Sequence, residues 1–295
     1  MSMSSAPSAG VDPVAQVAGA VTALFVPGDR PDRYAKAATS GADVVVIDLE
    51  DAVAPPAKFG ARLAATRALG APDDDRARAL VRVNAADSGL FAAEIEALLA
   101  TARLSRSGLL GVMLPKSEDP SVVADVVTRF AAIEKPVAVV PLVESARGVL
   151  RAAELAAVPG VTRLALGAID LTVDVGADLE SPVVTHAMAH LVLASRAARI
   201  AAPLDSPSTA ITDLALVGDA ARVARSAGFG GKLCIHPRQV AAVRAAFAPT
   251  EEQLAWARSV LAAGEAAVQI DGRMIDKPVI AAARRILRLA GTDAS

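Results

Sequence analysis

Residues 137–171 read VAVVPLVESARGVLRAAELAAVPGVTRLALGAIDL, and the order of their parts decides the fold. An apolar run, Val137 to Val143, stops at Glu144. A helical stretch from Ala146 to Ala157 follows and is closed by Pro159-Gly160. A second apolar run, Arg163 to Leu166, then leads to Asp170. Apolar runs this continuous suit parallel strands buried on both faces. A strand, a helix and a strand in this order form the unit from which parallel α/β folds are built.

The same pattern recurs on both sides of this stretch. The other apolar runs are ALFVPGDR (23–30), VVVIDLED (44–51), ALVRVN (79–84), LLGVMLPK (109–116), AAPLDS (201–206) and KLCIHP (232–237), which makes eight in all. Helical patterning separates them, at Pro31–Ser40, Ala57–Leu69, Leu90–Ala102, Ser121–Ile133, Val183–Ala202 and Thr209–Ala227, and a last such stretch, Pro237–Phe247, follows the eighth run. Eight strand–helix units predict a (β/α)8 TIM barrel. An open doubly wound sheet is the competing architecture, but the first turn, PGDRPDR, has a single Gly and lacks the dinucleotide-binding fingerprint. The expected organisation is a flexible lead-in over residues 1–20, a barrel over 21–248 and a C-terminal helical extension over 249–295. In the extension Thr250 and Gln253 are spaced as a capping box, and QIDGRMIDKP reads as a polar loop before a final helix.

Composition narrows the function. A chain of 295 residues with 53% hydrophobic content can fill one large barrel core. The formal net charge is −2 and Lys and Arg form no block, so no nucleic-acid footprint is present. No stretch has the roughly 20 apolar residues that a bilayer span needs. The first 20 residues have neither the basic start nor the apolar core of a secretory signal. The single cysteine, Cys234, lies inside a strand and reads as a small buried hydrophobe, which fits a reducing cytoplasm.

In a parallel barrel all the strand C-termini lie on one side, and that side builds the site. Glu144 and Asp170 end successive strands there. Two carboxylates with no His or Cys nearby suit a hard cation, Mg²⁺ before Zn²⁺; the alternative is a pair of ordinary acids at loop starts. Arg82, between two valines in the third strand, is costly to bury without an anion. It fits either a substrate carboxylate or developing enolate oxygen, or an ion pair with Glu50 or Asp48. Asp48, Glu50 and Asp51 crowd the end of the second strand, where they serve to orient Arg82 or metal-bound water, Asp51 alternatively capping the next segment. His186 and His190 share a helix face without the glutamate of a zinc motif, His236 ends the eighth strand, and no G-x-S-x-G elbow is present.

Taken together, LFVPGDRPDRYAKAATSGADVVVIDLEDAVAPPAK, VRVN, LPK, VPLVESARG, LGAIDLTVDVG, KLCIHPRQV and GRMIDKP resemble the citrate lyase beta-subunit-like proteins of the HpcH/HpaI aldolase superfamily, relatives of the malyl-CoA and citramalyl-CoA lyases. The likeness runs from about Ala23 to Leu289. It implies a trimeric or hexameric TIM barrel with Mg²⁺ on Glu144 and Asp170 and substrate on Arg82. It also implies a catalytic base at Asp276, delivered from an adjacent subunit, with CoA phosphates near Arg30 and Lys36. The implied activity is Mg²⁺-dependent cleavage or formation of a carbon–carbon bond between a 2-oxo acid and an acyl thioester. An aldolase on free 2-oxo acids, a citryl-carrier-protein lyase subunit and a non-catalytic barrel subunit remain alternatives. Two stretches depart from the family pattern: the link before Asp276 is short, and HAMAH (186–190) stands where relatives carry a Tyr-Ala-Arg type sequence.

Overall fold

The computed structural model describes residues 12–73, 75–262, 268–270 and 273–290. Eight parallel strands close into a barrel in chain order. A first helix, α1 (Pro13–Gly19), precedes β1 (Thr22–Pro27). Then come α2 (Tyr34–Ala38), β2 (Val44–Asp48), α3 (Lys58–Leu69), β3 (Ala79–Arg82), α4 (Phe91–Arg103), β4 (Leu109–Leu114), α5 (Pro120–Ala131) and β5 (Ala138–Val143). The second half has α6 (Ala146–Leu150), α7 (Ala152–Ala157), β6 (Arg163–Leu166), α8 (Ala168–Val175), α9 (Pro182–Ala197), β7 (Ala201–Asp205), α10 (Leu214–Ala227), β8 (Gly231–Cys234) and α11 (Pro237–Phe247). Closure is made by β1, which pairs with β2 through Ala23 and Val44 and with β8 through Ala23 and Leu233. The TIM barrel expected from the eight apolar runs is the fold observed.

One apolar cluster joins residues of all eight strands, among them Val46, Leu80, Met113, Val140 and Leu204, all nearly inaccessible to water. Val17 and Ala20 belong to the same cluster. The lead-in expected to be flexible through residue 20 is therefore helical at Pro13–Gly19, and it is packed. Asp12 caps this helix by accepting from the Val14 N–H, and Pro13 opens it, a start signal present in the sequence. Arg163, fully buried, ties the helix down: its Nη1 donates to the carbonyls of Val17 (3.0 Å) and Ala20 (2.7 Å), while Nε and Nη2 donate to that of Ala202.

Other differences from the sequence reading are local. The single helix expected over 146–157 is broken at Arg151. The helix expected from Pro31 begins as a 3-10 turn, Pro31–Arg33, and α10 starts at Leu214 rather than Thr209.

Residues 247–295 form a separate compact unit. It contains α12 (Glu251–Ala262), an antiparallel pair β9 (Val268–Ile270) and β10 (Arg273–Ile275), and α13 (Lys277–Leu289). The strand pair replaces the polar loop expected there. Ala257 and Val260 of α12 pack against Ile280, Ala283 and Leu287 of α13. Thr250 and Gln253 exchange the two hydrogen bonds of a capping box, each 3.1 Å. No helix among the described residues is long and apolar enough to cross a membrane.

Candidate active site

The register of β2 and β3 sets Asp48 beside Arg82, the last residues of their strands. Asp48 grips the guanidinium as a fork, Nε to Oδ1 at 2.8 Å and Nη2 to Oδ2 at 2.6 Å. Nη1 faces Asp51 at 3.3 Å and Glu50 Oε2 at 2.8 Å, and the ring of Phe25 lies 4.8 Å from the guanidinium carbon. Burial acts against the charge of Arg82, but the Asp48 hydrogen bonds and the charges of Asp48, Glu50 and Asp51 prevail and raise its pKa. Arg82 is thus ion-paired, the second of its two readings, and it also lines the cavity at the barrel mouth.

That cavity encloses about 400 Å³ and collects Asp48, Asp51, Arg82, Glu144, Asp170 and Ser206 against an apolar wall that includes Phe25, Leu142 and Ile169. Asp51, for which the sequence offered a simple capping role, faces it. Glu144 is 3% exposed, and its Oε1 accepts a 2.8 Å hydrogen bond from the Lys116 N–H. Asp170 stands in the first turn of α8. Gly167, three residues before Asp170, lies against Glu144: a Cβ on it would be 2.5 Å from Glu144 Oε2 and 2.6 Å from Glu144 Cβ. Only a glycine lets β6 end this close to Glu144.

Glu50 is buried, and neither carboxylate oxygen has a hydrogen-bond partner. The Arg82 nitrogen is near enough for an ion pair but too oblique for a hydrogen bond, and Lys116 Nζ stays 3.8 Å away. Burial, reinforced by Asp51 and Asp48 and opposed by Arg82, pushes Glu50 up to about 7. Burial first, then the charges of Glu50 and Asp170, push Glu144 up to about 8. Five carboxylates (Asp48, Glu50, Asp51, Glu144 and Asp170) thus gather about two cations, Arg82 and Lys116. In and around that cavity carboxylates outnumber cations among the described residues, and the imbalance falls where Glu144 and Asp170 face it.

A divalent cation fits that imbalance. Among the described residues no group of three His, Cys, Asp or Glu side chains is set to enclose a metal. Two carboxylates that leave the other positions to water or substrate oxygens suit Mg²⁺ and not a structural zinc. His186 and His190 stack on one another along α9 (centroids 5.8 Å apart) and do not line the cavity. Cys234 is buried, and burial pushes its thiol up to about 12, so it stays an inert packing group.

A second hollow of about 340 Å³ shares Phe25, Pro27 and Ile235 with the first. Lys36, Arg33 and His236 line it. Lys36 was a sequence candidate; Arg33 was not, although it lies one helical turn before Lys36. Arg30, the other candidate, lines neither hollow and pairs with Asp32 at 2.8 Å on the surface. Asp276 belongs to the C-terminal unit, where it caps α13 by accepting from the Val279 N–H.

A closed parallel barrel whose mouth carries an arginine and a carboxylate pair is an arrangement suited to anionic, oxygen-rich substrates and a hard cation. Residues 22–237 match the family model described as HpcH/HpaI aldolase/citrate lyase, and the chain belongs to that family. A citrate lyase subunit beta-like protein of Mycobacterium tuberculosis is 39% identical over 279 residues, covering 91% of this chain and 94% of that one. An L-malyl-CoA/beta-methylmalyl-CoA lyase of Cereibacter sphaeroides is 34% identical over 302 residues, covering 90% and 93%. Among solved structures, the protein CitE from M. tuberculosis in complex with magnesium, acetoacetate and coenzyme A superposes with a TM-score of 0.79 at 37% identity, covering 92% of this chain and 98% of that one. The chain is accordingly a carbon–carbon lyase.

Proposed function

We propose that this enzyme is Mg²⁺-dependent and cleaves, or in reverse forms, a 3-hydroxyacyl-CoA, giving a 2-oxo acid and a shorter acyl-CoA. The observation that carries the reading is the pairing of two hollows at one barrel mouth. The first gathers Arg82, Glu144 and Asp170, and the second, sharing its wall, adds Arg33 and Lys36. A cationic groove opening beside a carboxylate-lined cavity suits a substrate with a polyanionic handle, as a CoA thioester has and a free 2-oxo acid lacks. Relatives in complex with magnesium, with acetoacetate and coenzyme A or with oxaloacetate, support the same assignment.

Glu144 and Asp170 would hold the cation, which polarises the hydroxyl or carbonyl oxygen that it binds and offsets the excess of carboxylates. In the cleavage direction a base takes the hydroxyl proton. The bond between the hydroxyl carbon and the thioester α-carbon breaks, and its electron pair passes into the thioester enolate. The hydroxyl carbon becomes the carbonyl of the 2-oxo acid, and the enolate carbon then takes a proton. Arg82, held in position by Asp48, donates to the enolate oxygen as charge develops there. Asp276 is the base in this reading, supplied by the extension of an adjacent copy in a homo-oligomer.

The test is a screen of malyl-, citramalyl- and citryl-CoA, each of which would give a 2-oxo acid, with Mg²⁺ and then with EDTA. At least one thioester is expected to turn over, with the rate lost in EDTA. Turnover of none, or a rate unchanged by EDTA, overturns the reading. Cleavage of free 2-oxo acids with no calorimetric binding of CoA favours the aldolase alternative.

A further inference from the structure

The helix that carries Asp170 begins at a residue unable to cap it. Gly167 stands at the N-cap of α8 and makes no side-chain cap hydrogen bond. A Ser, Asp or Asn there is blocked, because any Cβ meets Glu144 Oε2 at 2.5 Å. The room that Glu144 needs removes the local cap, yet the first N–H groups of a helix require acceptors.

The missing acceptor comes from the next strand end. Ser206, directly after β7 and 5% exposed, accepts a 3.0 Å hydrogen bond at Oγ from the Ala168 N–H, the first residue of α8. Ser206 is itself anchored. Its carbonyl accepts from Lys232 Nζ at 2.5 Å, and the same ammonium is paired with Asp205. Lys232 and Asp205 are both buried, and strand register places them opposite each other. A charge-assisted anchor in β8 thus fixes a hydroxyl at the end of β7, and that hydroxyl fixes the start of the helix that bears Asp170. Ser206 also lines the cavity shared by Glu144 and Asp170.

From this geometry we infer that Ser206 is a positioning residue: it caps α8 from outside the helix and so sets Asp170 against Glu144 for cation binding. Lys232 and Asp205 hold Ser206 in place. The inference rests on the proposed Mg²⁺ site, and the test separates the two.

Calorimetric titration of Mg²⁺ into the metal-free protein is run on the wild type and on Ser206→Thr, Ser206→Val and Ser206→Ala. Threonine keeps the acceptor and valine matches its shape without one. Ser206→Thr is expected to bind within twofold of wild type, and Ser206→Val and Ser206→Ala about five- to tenfold more weakly, the size of a lost cap or outer-shell hydrogen bond. Asp213→Ala serves as a matched control, because it removes the cap of α10, which accepts from the Leu216 N–H. It is expected to lower the melting temperature and leave Mg²⁺ affinity unchanged. Equal affinities for the threonine and valine variants overturn the role of Ser206, as does an equal loss in Asp213→Ala. Absence of Mg²⁺ binding by the wild type instead overturns the metal site. If Ser206→Ala does not fold, the threonine–valine pair decides alone, and failure of Thr alongside Val counts against the inference.

Discussion

The backbone N–H of Lys116 donates a 2.8 Å hydrogen bond to Glu144 Oε1 from a residue held at φ 47°. A left-handed backbone costs an ordinary side chain about 1–2 kcal/mol, and such strain persists where surrounding structure enforces it. Here the turn after Pro115 aims an amide at one of the two candidate metal ligands. Lys116→Gly removes the amine but accepts this backbone, whereas Lys116→Val removes the amine and resists it. Since both lose the same charge, their difference reports the backbone alone. Lys116→Gly is expected to stay within about 1 kcal/mol of wild type in urea unfolding, and Lys116→Val to lose a further 1–2 kcal/mol or so. Mg²⁺ affinity should fall with Val and hold with Gly. Equal behaviour of the two removes the turn as the device that aims Glu144.

Arg82 and Asp48 are the most interlocked pair at the mouth. Removing one partner of a buried pair strands the other, at a cost of about 3–5 kcal/mol. Arg82→Met strands Asp48 and Glu50, 1% and 5% exposed. The double variant Arg82→Met/Asp48→Leu is expected to regain part of that stability while remaining inactive. Arg82→Lys keeps the charge but cannot reproduce the Nε and Nη2 fork, so it should fold and lose at least about tenfold in turnover. Wild-type turnover in Arg82→Lys shows that the fork is dispensable.

These side chains differ in how openly the sequence displays them. Glu144, Asp170 and Arg82 interrupt or end apolar runs, and a polar residue in a buried strand needs a reason, so they were legible once the strands were. The barrel itself followed from eight such runs. Ser206 was not legible, because a serine after a strand reads as loop, and its value comes from what Gly167 cannot do thirty-nine residues earlier. Gly167 and the left-handed Lys116 owe their roles to a close approach and a dihedral angle, neither of which leaves a periodic trace. Asp12-Pro13 did leave one, a helix start signal ahead of α1, but the segment's small residues masked its packing against the barrel. The break at Arg151 has no proline to mark it, and its one nearby glycine, Gly148, lies three residues earlier inside α6.

Arg163 gives the prediction for that first helix. Its guanidinium is fully buried, and among the described residues it meets no carboxylate. Burial pulls its pKa down only to about 9, so it remains charged at neutral pH and is satisfied by the carbonyls of Val17, Ala20 and Ala202. Replacing it with methionine fills most of the volume but takes this donor from the carbonyls of the buried residues Val17 and Ala20; Val17 keeps the Ala20 N–H, and a buried carbonyl left without a partner costs about 1–3 kcal/mol. Arg163→Met is expected to lose about 1–3 kcal/mol in urea and to expose the α1 amides to hydrogen exchange ahead of global unfolding. Unchanged protection of residues 13–19 shows that α1 is held by Val17 and Ala20 packing alone.

The excess of carboxylates at the mouth sets a sign for the pH dependence of the metal-free protein. Glu144 is raised from 4.5 to about 8 and Glu50 from 4.5 to about 7, both with burial as the first cause, and Glu94 is raised by burial as well. Across that interval the unfolded chain has released protons that the folded chain still holds. Stability therefore falls as pH rises from 4.5, and the full penalty is present above about 8. Asp43 has the opposite sign. Burial acts to raise it, but the hydrogen bonds from Arg244 and Thr22 prevail and lower it from 3.8, so its contribution is already complete at the bottom of this interval. Calorimetric melting in EDTA is expected to show a Tm that declines steadily toward pH 8. Saturating Mg²⁺ replaces the retained protons with a divalent charge, so it should flatten the decline and raise Tm most at the alkaline end, because below pH 8 the cation must displace a proton to bind. A Tm in EDTA that is flat or rises over this interval is incompatible with the buried, undercompensated carboxylates described at the mouth. A Mg²⁺ increment that shrinks with pH separates the cation from Glu144.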